Sequence, residues 1–290
     1  MTERGKVLIT GGTSGLGLEL VRLFLDKGFI VVTTGRREID VSGYEDRFSL
    51  YRADFCNLGQ TADIFRKICH EHTFDYVIYN AGILSPAEFI KTGDGFELTY
   101  QVNFLAHLLA NEIIIQHNNS GRTLRIAAVT SMAYRVAAPE YKPVSEPSEY
   151  RAWKAYSDSK LYLALMCLQY SEKLARTNIR FFSFDPGIFG SKLYRTQSGI
   201  FKMIYQVGVA ILRKPTSSAM VLSDILMGSE IKNGAVYDVR KRIRKLQEPG
   251  FTINKAFWAG ALRDIDQFLR KCRIVFDDFF ISCWPHNNSD

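Results

Sequence analysis

The chain has 290 residues, 47% of them hydrophobic and 23% charged, with 21 Gly and 8 Pro. That balance excludes disordered, collagen-like and coiled-coil classes, and the length suits one α/β domain. The net charge of +7 gathers at Arg36-Arg37 and from Arg240 to Lys245 with no aromatic platform interleaved, which argues against nucleic acid and leaves an anionic cofactor or lipid surface.

In chain order, Lys6 to Thr10 reads as a short buried strand, followed by a Gly-rich turn and a helix whose apolar Leu16, Leu20, Leu23 and Phe24 recur at three and four. Phe29 to Thr34 and Phe48 to Ala53 are further strands, Leu58 to His70 a helix, and Tyr76 to Tyr79 a fourth strand. Gly95 to Gln116 reads as one long helix, Thr123 to Thr130 as a strand, Tyr150 to Arg176 as a helix and Ile179 to Phe184 as a strand. Strands alternating with helices of ten or more residues predict an α/β fold, a doubly wound parallel sheet of Rossmann type with helices on both faces.

Three stretches break the rhythm. Residues 132 to 149, with Pro139, Pro143 and Pro147, predict an irregular loop. Residues 190 to 214 are apolar with a basic rim, a composition that suits a buried core-facing helix or a mobile surface segment. Residues 250 to 290 place Trp258, Leu262, Ile265, Leu269, Cys272, Val275 and Phe279 at near-helical spacing, a helical C-terminal extension to a single domain spanning 1 to 249. The apolar stretch Ile200 to Leu212 contains Lys202 and Gln206 and falls short of the roughly 20 residues a spanning helix needs. The apolar run at Val7 follows Met1 too closely for a signal peptide, so a cytoplasmic protein is expected, with contact at a membrane surface left open. Five scattered Cys without a CxxC pair predict reduced thiols.

The first turn, Thr10-Gly11-Gly12-Thr13-Ser14-Gly15-Leu16-Gly17, lies between strand and helix. Glycines there let backbone approach a pyrophosphate, and the helix N-terminus supplies unpaired N–H groups and a positive dipole end. Tight packing alone would also use glycines. At the end of the second strand stands Gly35-Arg36-Arg37 with no acid. An Asp or Glu there would accept from a ribose 2′-hydroxyl, whereas Arg pairs with a 2′-phosphate, so the residues favour NADP over NAD. In Tyr156-Ser157-Asp158-Ser159-Lys160 the spacing of four sets phenol and ammonium on one helix face, and a neighbouring cation stabilises tyrosinate. Cys69-His70-Glu71-His72 carries metal-ligand residue types, but neighbouring positions on a helix diverge and no second cluster completes a site, so no metal is expected. Gly12-Thr13-Ser14-Gly15 lacks the spacing of a hydrolase nucleophile elbow.

Taken in order, these motifs resemble the short-chain dehydrogenase/reductase family across about residues 5 to 240. Thr10 to Gly17 matches its TGxxxGxG, and Asn80-Ala81-Gly82 its NAG. Asn103, Ser131, then Tyr156 with Lys160, and Pro186-Gly187 follow at the expected places. Asp94-Gly95-Phe96-Glu97 leading into Gln101-Val102-Asn103, and the wide gap from Ser131 to Tyr156, are similar to retinol-dehydrogenase-like reductases. Tyr79 stands where a second Asn is common, Asp185 where His is frequent before Pro-Gly, and Ser191 where Thr is usual.

The resemblance implies hydride transfer from NADPH to an aldehyde or ketone, with Tyr156 protonating the developing alkoxide. Lys160 would lower the Tyr pKa and bind the nicotinamide ribose, Ser131 would donate to the substrate oxygen, and Asn103 would position a water that links Lys160 to solvent. It also implies cofactor contacts from Gly11, Thr13, Ser14, Gly15, Leu16 and Gly17, from Arg36 and Arg37, from Asp54 and Phe55 beside the adenine, and from Asn80, Ala81 and Gly82. Tyr156, Lys160, Pro186, Gly187, Ile188 and Ser191 complete that set. By the same resemblance the segment after Pro186-Gly187, about residues 190 to 214, would cover the substrate cleft as a lid; the partner would be a small, lipophilic carbonyl or alcohol, and a homo-oligomer stays open. Two rival readings remain at this point: an NAD-dependent alcohol dehydrogenase of the same fold, and a non-catalytic NADP-binding scaffold, for which an intact Asn103, Ser131, Tyr156 and Lys160 would have no use.

Overall fold

The computed structural model describes residues 5–118, 123–137, 143–187, 214–244, 246 and 258–266. Their strands are β1 (Lys6–Thr10), β2 (Ile30–Gly35), β3 (Phe48–Arg52), β4 (Tyr76–Tyr79), β5 (Leu124–Val129), β6 (Ile179–Asp185), β7 (Val236–Asp238) and β8 (Ile243–Arg244). They form one sheet in the order β3-β2-β1-β4-β5-β6-β7-β8. Every pairing is parallel except β7 with β8. Val7, Leu8 and Ile9 of β1 and Val31 and Val32 of β2 are fully buried, because a parallel sheet covered on both faces selects continuous β-branched and aliphatic runs.

The helices are α1 (Gly15–Asp26), α2 (Leu58–Glu71), α4 (Ala152–Lys173) and α5 (Pro215–Met227), with α3 (98–117) between β4 and β5. Leu20, Val21 and Phe24 of α1 pack with Leu222 and Leu226 of α5 on one face of the sheet. On the other face Phe65 of α2, Phe104 and Leu108 of α3, and Leu163 of α4 form the larger cluster. Since β2 leaves β1 on one side and β4 on the other, the strand order reverses between β1 and β4. Open α/β sheets carry their ligand crevice at such a switch point, outside the carboxyl ends of the strands.

The stretch read as one helix from Gly95 to Gln116 has more structure than periodicity reveals. Gly95, at φ +99°, closes a β-turn in which its N–H donates to the Thr92 carbonyl at 3.0 Å. Glu97 then caps the helix by accepting from the Thr99 and Tyr100 N–H groups at 2.9 and 2.7 Å. From there α3 runs as Leu98–Tyr100, a π-turn over Gln101–Leu105 and a regular helix over Ala106–His117. In the stretch read as an irregular loop, Met132–Val136 and Pro147–Glu149 form 3₁₀ turns.

The basic run after β7 also has a fold. Asp238 accepts from the backbone N–H of Arg240 and Arg242 at 2.8 and 3.1 Å, and from the guanidinium groups of Arg242 and Arg244 at 2.9 Å each. Burial opposes ionisation, yet the two guanidinium groups and the backbone donors hold Asp238 well below the usual carboxylate range. Part of the positive charge is thereby spent on closing the β7–β8 edge. A last helix, α6, covers 258–266. It docks through Trp258, edge-on to Tyr170 of α4 at 6.0 Å, and through Asp264, which accepts from the Tyr100 hydroxyl of α3 at 2.9 Å. Residues 190–213, and Leu269, Cys272, Val275 and Phe279 of the extension, lie outside the described residues.

Candidate active site

The Gly-rich turn is built by backbone approach. Gly11 sits at φ +68°, and a Cβ on it would stand 2.8 Å from the Ala81 Cα, so the turns after β1 and β4 touch through main chain. A Cβ on Gly17 would lie 2.2 Å from the Gly11 carbonyl oxygen, which binds the start of α1 closely to the turn. Gly15, at φ +56°, has nothing within 4 Å of its Cβ position and leaves room before the helix. The Ser14 side chain makes no capping bond at this end of α1, so the helix presents free N–H groups and its positive end to the space outside the turn.

That space is a cleft of about 240 Å³ along the strand ends. Of the residues singled out in the sequence, Gly11, Thr13, Ser14, Gly15, Leu16, Arg36, Asp54, Phe55, Asn80, Ala81, Gly82, Ser131, Tyr156, Lys160, Pro186 and Gly187 all line it. Gly17, Arg37 and Asn103 do not; Ile188 and Ser191 lie outside the described residues. Thr34, Gly35, Ala53, Cys56, Ile83, Val102, Val129 and Thr130 line it as well, and sequence reasoning did not single them out. Thr34-Gly35, Ala53 and Cys56 flank Arg36 and Asp54-Phe55, so their place at strand ends was the signal available. Val102 offers none beyond helical spacing.

Arg36 and Arg37 are exposed, and neither has an ion pair among the described residues, whereas Glu38 is engaged with Arg52 at 2.7 Å. The end of β2 therefore offers the cleft a free cation. The orphan donors of α1, the open space at Gly15 and the Arg36 guanidinium form a donor set suited to a phosphorylated anion.

At the other end of the cleft stand Ser131, Tyr156 and Lys160. Ser131, two residues beyond β5, caps the Met132–Val136 turn with its Oγ accepting from the Ala133 N–H at 3.3 Å, which leaves the hydroxyl proton to donate elsewhere. Lys160 Nζ lies 5.9 Å from the centre of the Tyr156 ring and donates to the Val129 carbonyl at 3.1 Å. Lys160 is 5% exposed, and this burial, with no carboxylate to offset it, lowers its pKa to about 8. Asn103 stands behind the cleft in the π-turn, and its amide is engaged at both ends. Oδ1 accepts from the Ile83 N–H at 2.8 Å, while Nδ2 donates to the Ile83 carbonyl and to Ser159 Oγ, each at 3.0 Å. Ser159 in turn donates to the Tyr156 carbonyl at 2.7 Å, so Asn103 reaches the Tyr156 helix through one hydroxyl.

The run Cys69 to His72 is put to other use: Glu71 and His72 both bond the Tyr51 hydroxyl across from β3. Cys56, Cys69 and Cys167 are free thiols, and burial raises each of them, Cys56 to about 11 and the other two to about 12. Among the described residues no helix is long and apolar enough to cross a membrane.

The short chain dehydrogenase family pattern matches residues 5–198. This chain belongs to that family. Retinol dehydrogenase 12 of Homo sapiens is 28% identical over 205 residues, which cover 66% of this chain and 64% of the relative. Retinol dehydrogenase 11 of Mus musculus is 27% identical over 228 residues, covering 74% and 71%. The matched stretch thus spans slightly less than two thirds of the first relative's length. NADP-bound ElxO superposes with a TM-score of 0.62 at 19% identity over 82% of this chain and 97% of that one. An NAD⁺-bound short chain dehydrogenase from Leptospira borgpetersenii does so at 0.63 and 21% identity over 82% and 91%. At such identities the two likenesses show the shared Rossmann fold and nothing more.

Proposed function

We propose that this short-chain dehydrogenase binds NADPH and reduces a lipophilic aldehyde or ketone to an alcohol, with Tyr156 as general acid. The observation that carries the reading is that one cleft is lined at one end by the Gly-rich turn and Arg36, and at the other by Ser131, Tyr156 and Lys160. When bound, the nicotinamide supplies the hydride. The α1 N-terminus and Gly15 would hold the pyrophosphate, Arg36 the 2′-phosphate, and Asp54 and Phe55 the adenine side. Among the solved neighbours, one carries NADP and the other NAD⁺, so the preference for NADPH rests on this chain's own Gly35-Arg36-Arg37.

Within that frame the Tyr156 hydroxyl gives its proton to the substrate oxygen, and the Ser131 hydroxyl donates a second hydrogen bond as charge develops there. Lys160, as an ammonium beside the Tyr156 ring, favours tyrosinate after transfer. Asn103 supports the Tyr156 helix through Ser159; both its amide protons are engaged, so any water it helps to hold would be bound through its oxygen atoms. The relatives named retinol dehydrogenases and the exposed apolar Met132, Val136 and Trp153 on the segments carrying Ser131 and Tyr156 support a lipophilic substrate. The apolar segment 190 to 214, proposed as lid and membrane contact, rests on the sequence and the family resemblance; flotation with anionic vesicles at low salt tests the membrane contact, and absence of flotation rejects it.

The deciding experiment for the cofactor is parallel titration with NADPH and NADH. NADPH is expected to bind more tightly by about one to two decades, as a charge-assisted Arg–phosphate pair contributes on the order of 1.5 to 3 kcal/mol. Equal dissociation constants would reject the preference.

A further inference from the structure

His107 is fully buried in α3, four residues beyond Asn103, and plays no part in the reading above. Its two ring nitrogens face different elements. Nδ1 lies 2.9 Å from the Asn103 carbonyl oxygen, and Nε2 lies 3.0 Å from Thr10 Oγ1, 97 residues away in sequence, at the end of β1. A carbonyl oxygen only accepts, so Nδ1 carries the proton and donates to it. In the neutral ring Nε2 is then the acceptor, and the Thr10 hydroxyl donates to it. Burial, with the Lys160 charge acting in the same direction, lowers the His107 pKa to about 3 despite the bond to the Asn103 carbonyl, which keeps the ring neutral and this tautomer in place.

The direction of the Thr10 proton matters for its lone pairs. Thr10 Oγ1 also accepts the backbone N–H groups of Asn80 and Ala81 at 2.9 and 3.0 Å. Both residues line the cleft. With its proton given to His107, the hydroxyl oxygen keeps both lone pairs for those two donors. Without His107 the remaining acceptor for the Thr10 proton is the Ile78 carbonyl at 3.5 Å, too long to fix its direction well. The ring is itself held edge-on by Phe55 of the cleft wall and in a tilted contact by Tyr79, each with centroids 5.3 Å away.

We propose that His107 is a positioning residue whose two nitrogens tie the π-turn carrying Asn103 to Thr10, and through Thr10 to the Asn80-Ala81 turn that faces the cofactor. The chain of bonds runs from Asn103 carbonyl to imidazole, to Thr10 hydroxyl, to the two backbone amides, so one neutral ring sets the spacing of three segments around the cleft. This rests on the reading of the cleft as a dinucleotide site.

The test uses the full chain with His107→Phe, His107→Gln and Thr10→Val. It reads amide exchange at Asn80 and Ala81 without ligand, and the NADPH dissociation constant. Phe keeps the ring packed against Phe55 and Tyr79 and removes both nitrogens; Gln gives up the ring but can offer an amide oxygen to Thr10. His107→Phe and Thr10→Val should each speed exchange at the two amides and raise the dissociation constant, both by about tenfold, the effect of one lost buried hydrogen bond. The double variant should be no worse than either single one, and His107→Gln should recover most of the loss. A packing role predicts the reverse order, with Phe tolerated and Gln harmful, and that result would overturn the proposal. Multiplying losses in the double variant would overturn it too. If His107→Phe does not fold, Thr10→Val and His107→Gln carry the same comparison. Failure of the wild-type chain to bind either dinucleotide would reject the cofactor reading and this inference with it, whereas wild-type binding with undisturbed variants rejects the role of His107 alone.

Discussion

At the scale of single residues, the chemistry depends on a phenol, a hydroxyl and an ammonium sharing one wall of the cleft. The ammonium is the pH-sensitive member. Lys160 ionises with a pKa lowered to about 8 by burial, so its charge is present below that pH and lost as pH rises through it. Turnover that uses the ammonium should therefore fall between about pH 8 and pH 9, and a Lys160→Met variant, already slow, should lack that step in its pH profile. A full-strength profile through pH 9 would contradict the role given to Lys160. On the cofactor side, Arg36→Ala should lower the preference for NADPH over NADH by about tenfold or more, while Arg37, exposed and outside the cleft lining, should contribute less. Competitive titration of both variants checks the order; an unchanged preference in Arg36→Ala counts against the assignment. The places of Tyr156, Lys160 and Arg36 in the cleft were legible in the sequence because each stands in a short local pattern, and that of Ser131 only through the family resemblance. His107 was not, since its meaning depends on a hydroxyl 97 positions away, and no local pattern announces such a pair.

At the scale of elements, the turn after β1 and the docking of α6 differ in what they can tolerate. A Cβ at Gly17 would meet the Gly11 carbonyl at 2.2 Å, and main chain cannot give way there without opening the turn. Gly17→Ala should abolish dinucleotide binding while leaving the far-ultraviolet circular dichroism of the sheet and helices intact; binding at wild-type strength would show that the turn relaxes freely. α6 is held by side chains instead. Trp258, 1% exposed against Tyr170, should cost up to about 3 to 5 kcal/mol on truncation to Ala, less if α6 simply undocks. Urea unfolding measures this, and an unchanged midpoint would mean that α6 adds nothing to the stability of the domain. The existence of β1 to β6 and of α1 to α4, though not of α5, followed from periodicity, because parallel strands and amphipathic helices carry strong patterns. The π-turn in α3 and the two-residue strand β8 did not, since a π-turn is set by packing around Asn103 and β8 by the Asp238 bonds that fold a run of basic residues back on β7.

At the scale of the whole molecule, two buried titratable groups on α3 act against each other as pH changes. His107, lowered to about 3 from an ordinary 6.5, binds its proton more readily unfolded, so its contribution is present above pH 6.5 and lost as pH falls toward 3. Burial pushes Glu112 up to about 7 from an ordinary 4.5, with the Lys173 charge opposing. Its contribution is present below pH 4.5 and lost as pH rises through 7. Each slope is about 1.4 kcal/mol per pH unit, and between pH 4.5 and 6.5 the two have opposite sign. Glu112→Gln removes one of them, so the variant's stability should climb across that window relative to wild type by about that slope. Unfolding curves at pH 5 and pH 6.5 test it; parallel wild-type and variant curves would contradict the account of Glu112.

The central claim is that one cleft unites a dinucleotide with Tyr156 as proton donor. The most direct measurement follows NADPH absorbance with a panel of lipophilic aldehydes and ketones, for the wild type and for Tyr156→Phe, with NADPH binding titrated in parallel. Wild type should consume NADPH with at least one carbonyl compound, and Tyr156→Phe should bind NADPH nearly as well while losing turnover by about 100-fold or more, the usual contribution of a positioned acid. Wild-type turnover in Tyr156→Phe would contradict the claim.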